Sequence, residues 1–340
     1  MVRIKRAIGV ALLAGALLAG TSGCGGNATA SDVGAKASPG VKAGRGAKAG
    51  AGAGAGAGAS PSPSRTHPSG PPMLLDTIAP QNGATVGVAM PISVEFTKPV
   101  AASARAAVER HLKVTTSVPV TGAWHWFDGT RVDWRPKDYW PAGTRVTFNA
   151  ELTGVGDGNG RYGTHDYRHT FTIGADLRAA VDVPGHTMKV TRNGSTLRTM
   201  PIDAGSPDFP SWDGTMAVMD KQREVRMTSC SVGISCVKGS PNYYDLTLPW
   251  DVQLTSSGTY VHYSTGDPYP GHSYGSHGCV HLSASDAEWF YNTVEQGDPV
   301  TITGSPRGKA AGDNGYADYN LSWSQWLTGS ATGQQTTSAS

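Results

Sequence analysis

The most informative stretch of this 340-residue chain is Ser276-His277-Gly278-Cys279-Val280-His281-Leu282. A cysteine thiol becomes a useful nucleophile when a nearby imidazole accepts its proton. His262 can supply that imidazole, because it follows the apolar pair Tyr260-Val261 and can be held rigidly on a strand. Gly278 has no side chain, so the backbone N–H groups of Gly278 and Cys279 can approach a substrate carbonyl and form an oxyanion hole. The stretch therefore indicates acyl-transfer chemistry at Cys279.

The same stretch also fits a metal site. His277, Cys279 and His281 alternate along the chain, so an extended segment would point all three to one side. Either His262 or His272 could then complete a tetrahedral zinc site. The Gly-Cys pair is better explained by an oxyanion turn, and we therefore expect no metal and no cofactor.

The other three cysteines have different surroundings. Cys230 and Cys236 flank five residues, and in an oxidising exterior such a pair is predicted to form a local disulfide. Cys24 lies at the end of an N-terminal export signal. Cys279 is left unpaired, and an unpaired cysteine in an exported protein is either a buried inert thiol or a reactive one.

Residues 1–24 are predicted to be a signal peptide. Three basic side chains precede Ala7 to Ala19, an apolar segment too short to span a bilayer comfortably. The stretch Thr21-Ser22-Gly23 before Cys24 resembles the lipobox of bacterial lipoproteins. This resemblance implies a lipid anchor on Cys24 and a location on the outer face of the cytoplasmic membrane, facing the cell wall. The alternative is a soluble secreted protein that loses Cys24 with the signal.

Two further segments are predicted to be disordered because they lack the apolar residues of a core. Residues 25–72 form a linker of Gly-Ala dipeptides and a Ser-Pro-Ser-Pro run, and residues 328–340 form a polar tail. The net charge is only +2, and no Lys/Arg cluster is interleaved with aromatic side chains. Nucleic acid is therefore not expected as a partner.

Residues 73–174 are predicted to form an all-β immunoglobulin-like sandwich. Ile92 to Phe96 and Arg145 to Asn149 alternate apolar with polar side chains, as strands with one buried face do. Turn signals such as Asp128-Gly129 separate these short strands. The tryptophans of this region could form a carbohydrate-stacking surface, but packing in the core is the preferred interpretation; they are Trp124, Trp126, Trp134 and Trp140.

Residues 175–304 are predicted to continue as strands with one helix. Arg192-Asn193-Gly194-Ser195 is a strong hairpin signal. Ser285 to Thr293 is predicted to be a helix, because Ser283 or Ser285 can cap it and its apolar residues share one face. Residues 305–327 are predicted to be a C-terminal extension.

The order His262 followed by Ser276-His277-Gly278-Cys279-Val280 resembles the signature of the L,D-transpeptidase catalytic domain. The resemblance extends to the preceding strands, to the helix around Trp289-Phe290-Tyr291 and to a tail with Trp323 and Trp326. It implies a mainly β fold, in which an N-terminal immunoglobulin-like sandwich precedes an L,D-transpeptidase β-sandwich domain with one short helix and a C-terminal extension.

The resemblance also implies a role for each matching residue. Cys279 is the nucleophile, His262 is the general base and later the acid, and the backbone carbonyl of Tyr263 orients the imidazole. Cys279 and His262 are expected to titrate together, either as a thiolate–imidazolium pair or as a neutral pair that shares a proton. The position of His281 usually holds Asn or Arg in the family. The residues implied to contact the substrate are Tyr244, in a mobile lid, Ser276, His277 and His281.

The implied reaction is acyl transfer between peptidoglycan stem peptides. The sulfur attacks the carbonyl that precedes a D-Ala, the D-Ala leaves, and a side-chain amine of a neighbouring stem converts the thioester into a 3-3 cross-link. Carbapenem-type β-lactams are expected to acylate Cys279 as well. Three alternatives stay open: an L,D-carboxypeptidase that uses water, a transferase that attaches protein to peptidoglycan, and a zinc-binding or non-catalytic cell-wall module.

Overall fold

The computed structural model describes residues 70–339. The predicted signal peptide, Cys24 and residues 25–69 of the predicted linker lie outside this range. None of the described helices is long and apolar enough to cross a membrane.

The first part of the described chain contains ten strands and one helix. In the strand Arg145–Ala150, alternate side chains are fully buried, which is the period of a strand with one face on a core. In chain order the elements are β1 (Pro72–Met73), β2 (Leu75–Ala79), β3 (Thr85–Val86), β4 (Ile92–Phe96), α1 (Ala102–His111), β5 (Leu112–Thr116), β6 (Thr121–Trp126), β7 (Arg131–Pro136), β8 (Arg145–Ala150), β9 (Tyr162–Gly163) and β10 (Tyr167–Ile173).

Two sheets enclose the core of this domain. One contains the strands β2-β4-β7-β6 and the other β5-β8-β10-β3, which confirms the predicted sandwich. Core packing of the four tryptophans is also confirmed, because all four side chains are buried. Trp140 Nε1 donates to the carbonyl of Met90 at 2.7 Å and Trp124 Nε1 to that of Leu112 at 3.2 Å, so these two buried indole nitrogens have partners.

The all-β prediction was wrong at α1. This helix has an alanine-rich sequence, and Ala104 and Val108 lie one turn apart on its buried face. Its weak apolar stripe does not resemble a long amphipathic helix, so the pattern of the sequence concealed it.

The second domain contains eleven strands and a helix. Asn193 and Gly194 form the turn of the predicted hairpin, with φ values of 50° and 81°, as a two-residue hairpin loop requires. In chain order the elements are β11 (Leu177–Asp182), β12 (Thr187–Arg192), β13 (Ser195–Pro201), β14 (Ala204–Gly205), β15 (Gly214–Ala217), β16 (Asp220–Thr228), β17 (Asp245–Gln253), β18 (Tyr260–Tyr263), β19 (Tyr274–Ser276), β20 (Val280–Leu282), α2 (Ala284–Thr293) and β21 (Pro299–Thr303).

The sheets β13-β12-β11-β21-β15 and β16-β17-β18-β20 share one apolar core with α2. The helix α2 is the predicted one. Its cap is Ser283, whose side chain accepts the backbone N–H of Asp286. Phe290 and Val294 are fully buried on its inner face.

The C-terminal extension packs on the immunoglobulin-like domain. It contains a 3-10 turn (Asp318–Asn320) and α3 (Trp323–Thr328). Trp326 is fully buried, and its Nε1 donates to the carbonyl of Ala123 at 3.0 Å. Arg135 donates to the carbonyl of Leu321 at 3.0 Å. On the other side, Asn320 Oδ1 accepts the backbone N–H of Thr215 in β15 at 2.7 Å, so the extension contacts both domains.

The prediction of a disordered tail at residues 328–340 was wrong. The tail contains β22 (Gln335–Thr336), which pairs antiparallel with β6, and β23 (Ser338–Ala339), which pairs parallel with β5. The tail thus adds one strand to each sheet of the sandwich. The prediction failed because the tail has polar side chains and no apolar pattern. Backbone hydrogen bonds and a buried carboxylate hold the tail in place instead.

That carboxylate belongs to Glu109 in α1, which is 1% exposed. Its Oε1 accepts Trp126 Nε1 at 2.9 Å and the backbone N–H of Ala331 at 2.8 Å. Its Oε2 accepts the hydroxyls of Thr332 at 2.6 Å and Ser330 at 3.3 Å. Four donors therefore converge on one side chain, and three of them come from the tail.

We expect Glu109→Ala to lower the free energy of unfolding by about 3 kcal/mol, because the buried donors lose their charged acceptor. Urea unfolding of the full chain measures this loss. The control is Glu288→Ala, at an exposed position of the other long helix. A loss no larger than that of the control would contradict the role given to Glu109.

Candidate active site

The parallel pairing of β18 and β20 brings the candidate residues together. His262 lies in register with His281, and Cys279 directly precedes β20. A cavity of about 530 Å³ is lined by Cys279, His262, His281 and Tyr244. A second cavity, of about 410 Å³, is lined by Cys279, Tyr244 and His277 but not by His262. The thiol is therefore reached from two sides.

A tight turn presents Cys279. Ser276 Oγ donates to the carbonyl of Cys279 at 2.7 Å and accepts the backbone N–H of Gly278 at 3.1 Å. Gly278 has a φ of 112°, in the region that favours glycine. The turn is thus locked by a buried hydroxyl.

The two hydrogen bonds give Ser276 a positioning role. Ser276 is only 3% exposed and its hydroxyl is engaged on both sides; it also lines the 530 Å³ cavity, and its contact with substrate stays a prediction. The N–H of Gly278 is donated to Ser276 and is not free for an oxyanion. The sequence could not reveal this, because the expectation came from the absence of a glycine side chain and not from the partner of its N–H.

The imidazole of His262 has a fixed tautomer. Its Nδ1 lies 2.8 Å from the carbonyl oxygen of Tyr263, and since a carbonyl can only accept, Nδ1 carries the proton and Nε2 is basic. His262 is 2% exposed. Burial, and then the neighbouring His281, lower the pKa of His262 to about 3, so the ring is neutral near pH 7.

The thiol of Cys279 is also neutral at rest. Its Sγ donates to the carbonyl of Gly258 at 3.8 Å. Burial is the main cause that raises the pKa of Cys279 to about 11, and the nearby carboxyl of Asp251 adds to the shift. Of the two protonation states that the sequence left open, the structure therefore favours a neutral thiol beside a neutral imidazole.

Residues 229–244 form a loop between β16 and β17, at the position predicted for a lid. A disulfide joins Cys230 to Cys236 within it. Ser229 is fully buried, and its hydroxyl donates to the carbonyl of Ser235 at 2.7 Å and accepts the N–H of Tyr244 at 3.0 Å. This hydroxyl, which sequence analysis missed, ties the two ends of the loop together.

The last residue of this loop, Tyr244, lines both cavities together with Cys279. The ring of Tyr244 lies 5.0 Å from that of His277, which also contacts Phe209 at 4.8 Å. Burial and the proximity of Cys279 raise the pKa of Tyr244 to about 12, so its hydroxyl stays protonated. His277 is thus placed between aromatic rings at the edge of the second cavity.

His281 belongs to a network that sequence analysis missed. Its Nδ1 lies 2.9 Å from Asp267 Oδ2, and its ring lies 5.0 Å from that of His262. Asp203 is fully buried and accepts four hydrogen bonds from Gly271 to Ser273. Neither aspartate stands in a recognisable motif: Asp267 fits a turn, and Asp203 is far from the cysteine in sequence.

The alternating triplet does not form a metal site. The ring of His277 faces Tyr244 and Phe209, whereas that of His281 faces His262 and Asp267. Within residues 70–339, no group of three or more His, Cys, Asp or Glu side chains is arranged to hold a metal ion.

Comparisons with known proteins identify both domains. A bacterial Ig domain model matches residues 64–156, and an L,D-transpeptidase catalytic domain model matches residues 176–302. L,D-transpeptidase 2 of Mycobacterium tuberculosis is 34% identical over 257 residues, which are 75% of this chain and 62% of the relative. L,D-transpeptidase 1 of the same species is 37% identical over 232 residues, which are 67% of this chain and 84% of the relative.

A solved structure gives the same result. An L,D-transpeptidase in complex with imipenem is 36% identical and matches with a TM-score of 0.58, over 68% of this chain and 100% of that one. The chain spans about three fifths of the length of the first of the sequence relatives.

The neutral thiol predicts slow alkylation of the resting protein. Near pH 7, iodoacetamide should label Cys279 roughly 300-fold more slowly than an ordinary cysteine of pKa about 8.5, because its pKa is about 11. The rate should keep rising about tenfold per pH unit up to about pH 11, whereas that of an ordinary cysteine levels off above about pH 8.5. Mass spectrometry of the Cys279 peptide measures it, with the urea-unfolded chain as control. A fast plateau between about pH 5 and 8 would instead indicate a thiolate–imidazolium pair.

Proposed function

The chain belongs to the L,D-transpeptidase family, and on that premise we propose that it cross-links peptidoglycan stem peptides through a thioester on Cys279. The observation that carries the proposal is that one cavity is lined both by Cys279, the free thiol of residues 70–339, and by His262, an imidazole of fixed tautomer. Basic Nε2 of His262 is the only proton acceptor that this arrangement requires.

The first half of the reaction is acylation. The sulfur of Cys279 attacks the carbonyl carbon before the terminal D-Ala as its proton passes to Nε2 of His262. The C–S bond forms, the C–N bond to D-Ala breaks, and His262 returns the proton to the departing amine. Because both partners are neutral at rest, proton transfer accompanies attack and does not precede it.

The second half is deacylation by an amine. A side-chain amine of a neighbouring stem attacks the thioester, a C–N bond forms and the C–S bond breaks, and the amine proton returns to the sulfur through His262. We favour this outcome over hydrolysis because two cavities meet at Cys279 and Tyr244. One space suits the acyl donor and the other the amine acceptor.

The developing oxyanion requires a donor close to the sulfur. The N–H of Gly278 is engaged by Ser276, so we assign this role to the backbone N–H of Cys279. The protonated hydroxyl of Tyr244 is a second candidate donor, since its pKa of about 12 keeps the proton on it.

β-Lactams of the carbapenem class are proposed inhibitors. The related L,D-transpeptidase was solved in complex with imipenem. A carbapenem carbonyl entering the 530 Å³ cavity would meet the same thiol and the same base as a stem peptide. Acylation of Cys279 by imipenem is therefore an accessible measure of the first half-reaction.

The membrane anchor is a separate proposal, supported by the sequence around Cys24. Lipid on Cys24 would hold the chain at the outer face of the cytoplasmic membrane. The Gly/Ala/Ser/Pro-rich residues that follow would let the catalytic domain reach the wall.

We expect Cys279→Ser and His262→Ala to abolish cross-linking. Serine is a much weaker nucleophile at this site, and loss of the base should slow imipenem acylation by about 10²- to 10⁴-fold. Mass spectrometry measures both the imipenem adduct and 3-3 cross-links formed in purified peptidoglycan.

The control is His165→Ala, an exposed histidine of the immunoglobulin-like domain, which should leave both readouts unchanged. An imipenem adduct at any residue other than Cys279 would refute the assignment of the nucleophile. An imipenem adduct on Cys279 without cross-links, but with loss of D-Ala, would indicate an L,D-carboxypeptidase.

The anchor is tested by labelling bacteria that express the full chain with radioactive palmitate. The wild type should carry the label in the membrane fraction, and Cys24→Ser should lose both the label and the membrane association. Cys279→Ser is the matched control and should keep the label. An unlabelled wild type would instead support a soluble secreted protein.

A further inference from the structure

We propose that His281 and Asp267 are positioning residues that fasten the wall loop, residues 264–273, beside His262. The inference rests on the proposed function for its kinetic consequences, because the wall loop bounds the cavity that would take the acyl donor.

The contact between the two side chains is direct and shielded. Asp267 Oδ2 lies 2.9 Å from His281 Nδ1, and the two side chains are 20% and 12% exposed. Burial lowers the pKa of His281 to about 4, so near pH 7 the ring is neutral and its Nδ1–H donates to the carboxylate. The hydrogen bond links the wall loop to β20.

The same ring touches the proposed base. The rings of His281 and His262 are 5.0 Å apart at an interplanar angle of 71°, and their residues are register partners in β20 and β18. His281 thus packs against His262 while its Nδ1 holds the loop.

A second anchor holds the other end of the wall loop. Asp203 Oδ1 accepts the backbone N–H groups of Gly271, His272 and Ser273 at 3.1, 2.9 and 2.6 Å. Asp203 and His281 also exchange backbone hydrogen bonds of 3.2 and 2.8 Å. Both side-chain contacts therefore converge on Asp203 and His281. Without the side chain of Asp267, the wall loop would keep only the side-chain contact with Asp203 at its far end.

The wall loop decides the width of the cavity. Its residues form much of the lining beside Cys279 and His262, and its turn is closed by the N–H of Asp267, which donates to the carbonyl of Ser264 at 3.1 Å. Tyr269, at the tip, is 81% exposed. Loss of the His281 contact should therefore weaken donor binding more than the chemical step.

The carboxyl of Asp267 also titrates in a pH range that kinetic experiments can cover. Burial, and then the adjacent carboxyl of Asp203, raise the pKa of Asp267 to about 6, while His272 opposes the shift. Asp203 stays charged, because burial is outweighed by its hydrogen bonds from the wall loop, which bring its pKa to about 2. The other ionisable groups around these carboxyls are His186, 3.4 Å from Asp203, His281 and His262. Below about pH 6 the wall loop thus loses its charged anchor.

The kinetic test measures D-Ala release from a synthetic stem tetrapeptide with an added amine acceptor. Asp267→Ala and His281→Ala should each raise KM about tenfold, and the double variant should raise KM no further, since both remove the same hydrogen bond. In Asp267→Ala kcat should stay within about threefold, whereas His281→Ala, which also removes the packing against His262, should lower kcat as well. His281→Asn should restore KM, because its amide nitrogen can replace Nδ1 as donor. Asp76→Ala, at an exposed position of β2, is the control.

The pH dependence separates positioning from mere folding. Wild-type KM should rise as pH falls through about 6, and Asp267→Asn, which is always neutral, should flatten this profile. Three results would overturn the inference. They are additive increases in KM in the double variant, a fall in kcat at unchanged KM in Asp267→Ala, and a pH dependence of KM in Asp267→Asn that matches the wild type.

Hydrogen exchange, which does not depend on enzyme activity, distinguishes the proposed function from the proposed role of Asp267. Backbone hydrogen exchange in the wall loop should be faster in Asp267→Ala than in wild type, with the rest of the domain unchanged. If imipenem does not acylate the wild type, the proposed function fails, but the exchange result still tests whether Asp267 holds the wall loop. Unchanged exchange in an imipenem-reactive protein would refute the anchor alone.

Discussion

The structure around the thiol depends on the parallel pairing of two short strands, β18 and β20. This pairing brings a histidine from one strand close to a cysteine that directly precedes the other, although the two residues are separated by a long loop. The strands are only four and three residues long, so their alignment relies on the core beneath them. Val261, Val280 and Leu282 are fully buried there. The apolar core thus fixes the spacing of the polar groups above it.

Burial explains why the thiol of Cys279 is unreactive until a substrate enters. A thiol with a raised pKa and an imidazole with a lowered one cannot form a stable ion pair in the empty site. Since thiolates are the species that oxidants attack, a neutral thiol resists damage in an oxidising exterior. Nucleophilicity is created only when a bound carbonyl allows bond formation and proton transfer together. The same low polarity that suppresses the free thiolate strengthens hydrogen bonds to a developing oxyanion.

The sequence predicted features that depend on local patterns. The paired domains, the Asn193-Gly194 hairpin and α2 follow from strand alternation, turn chemistry and a capped apolar helix face. What failed depends on partners distant along the chain. The ordered tail requires Glu109, and the engagement of Gly278 requires the rotamer of Ser276. Asp203 and Asp267 looked like ordinary turn or surface residues until folding brought them to the same loop.

The tail has a consequence for how the molecule is assembled during synthesis. The strands β22 and β23 complete the sandwich of the first domain, and Thr337 bonds Thr116, a residue 221 positions earlier. Because a chain is made N-terminus first, the strands of this sandwich are available early, but their edges stay unpaired until the tail has been made. Contacts of such long sequence separation form slowly. The two exposed edges are therefore where a holding chaperone would bind before synthesis ends, and a stalled or C-terminally nicked chain would expose the same edges to aggregation.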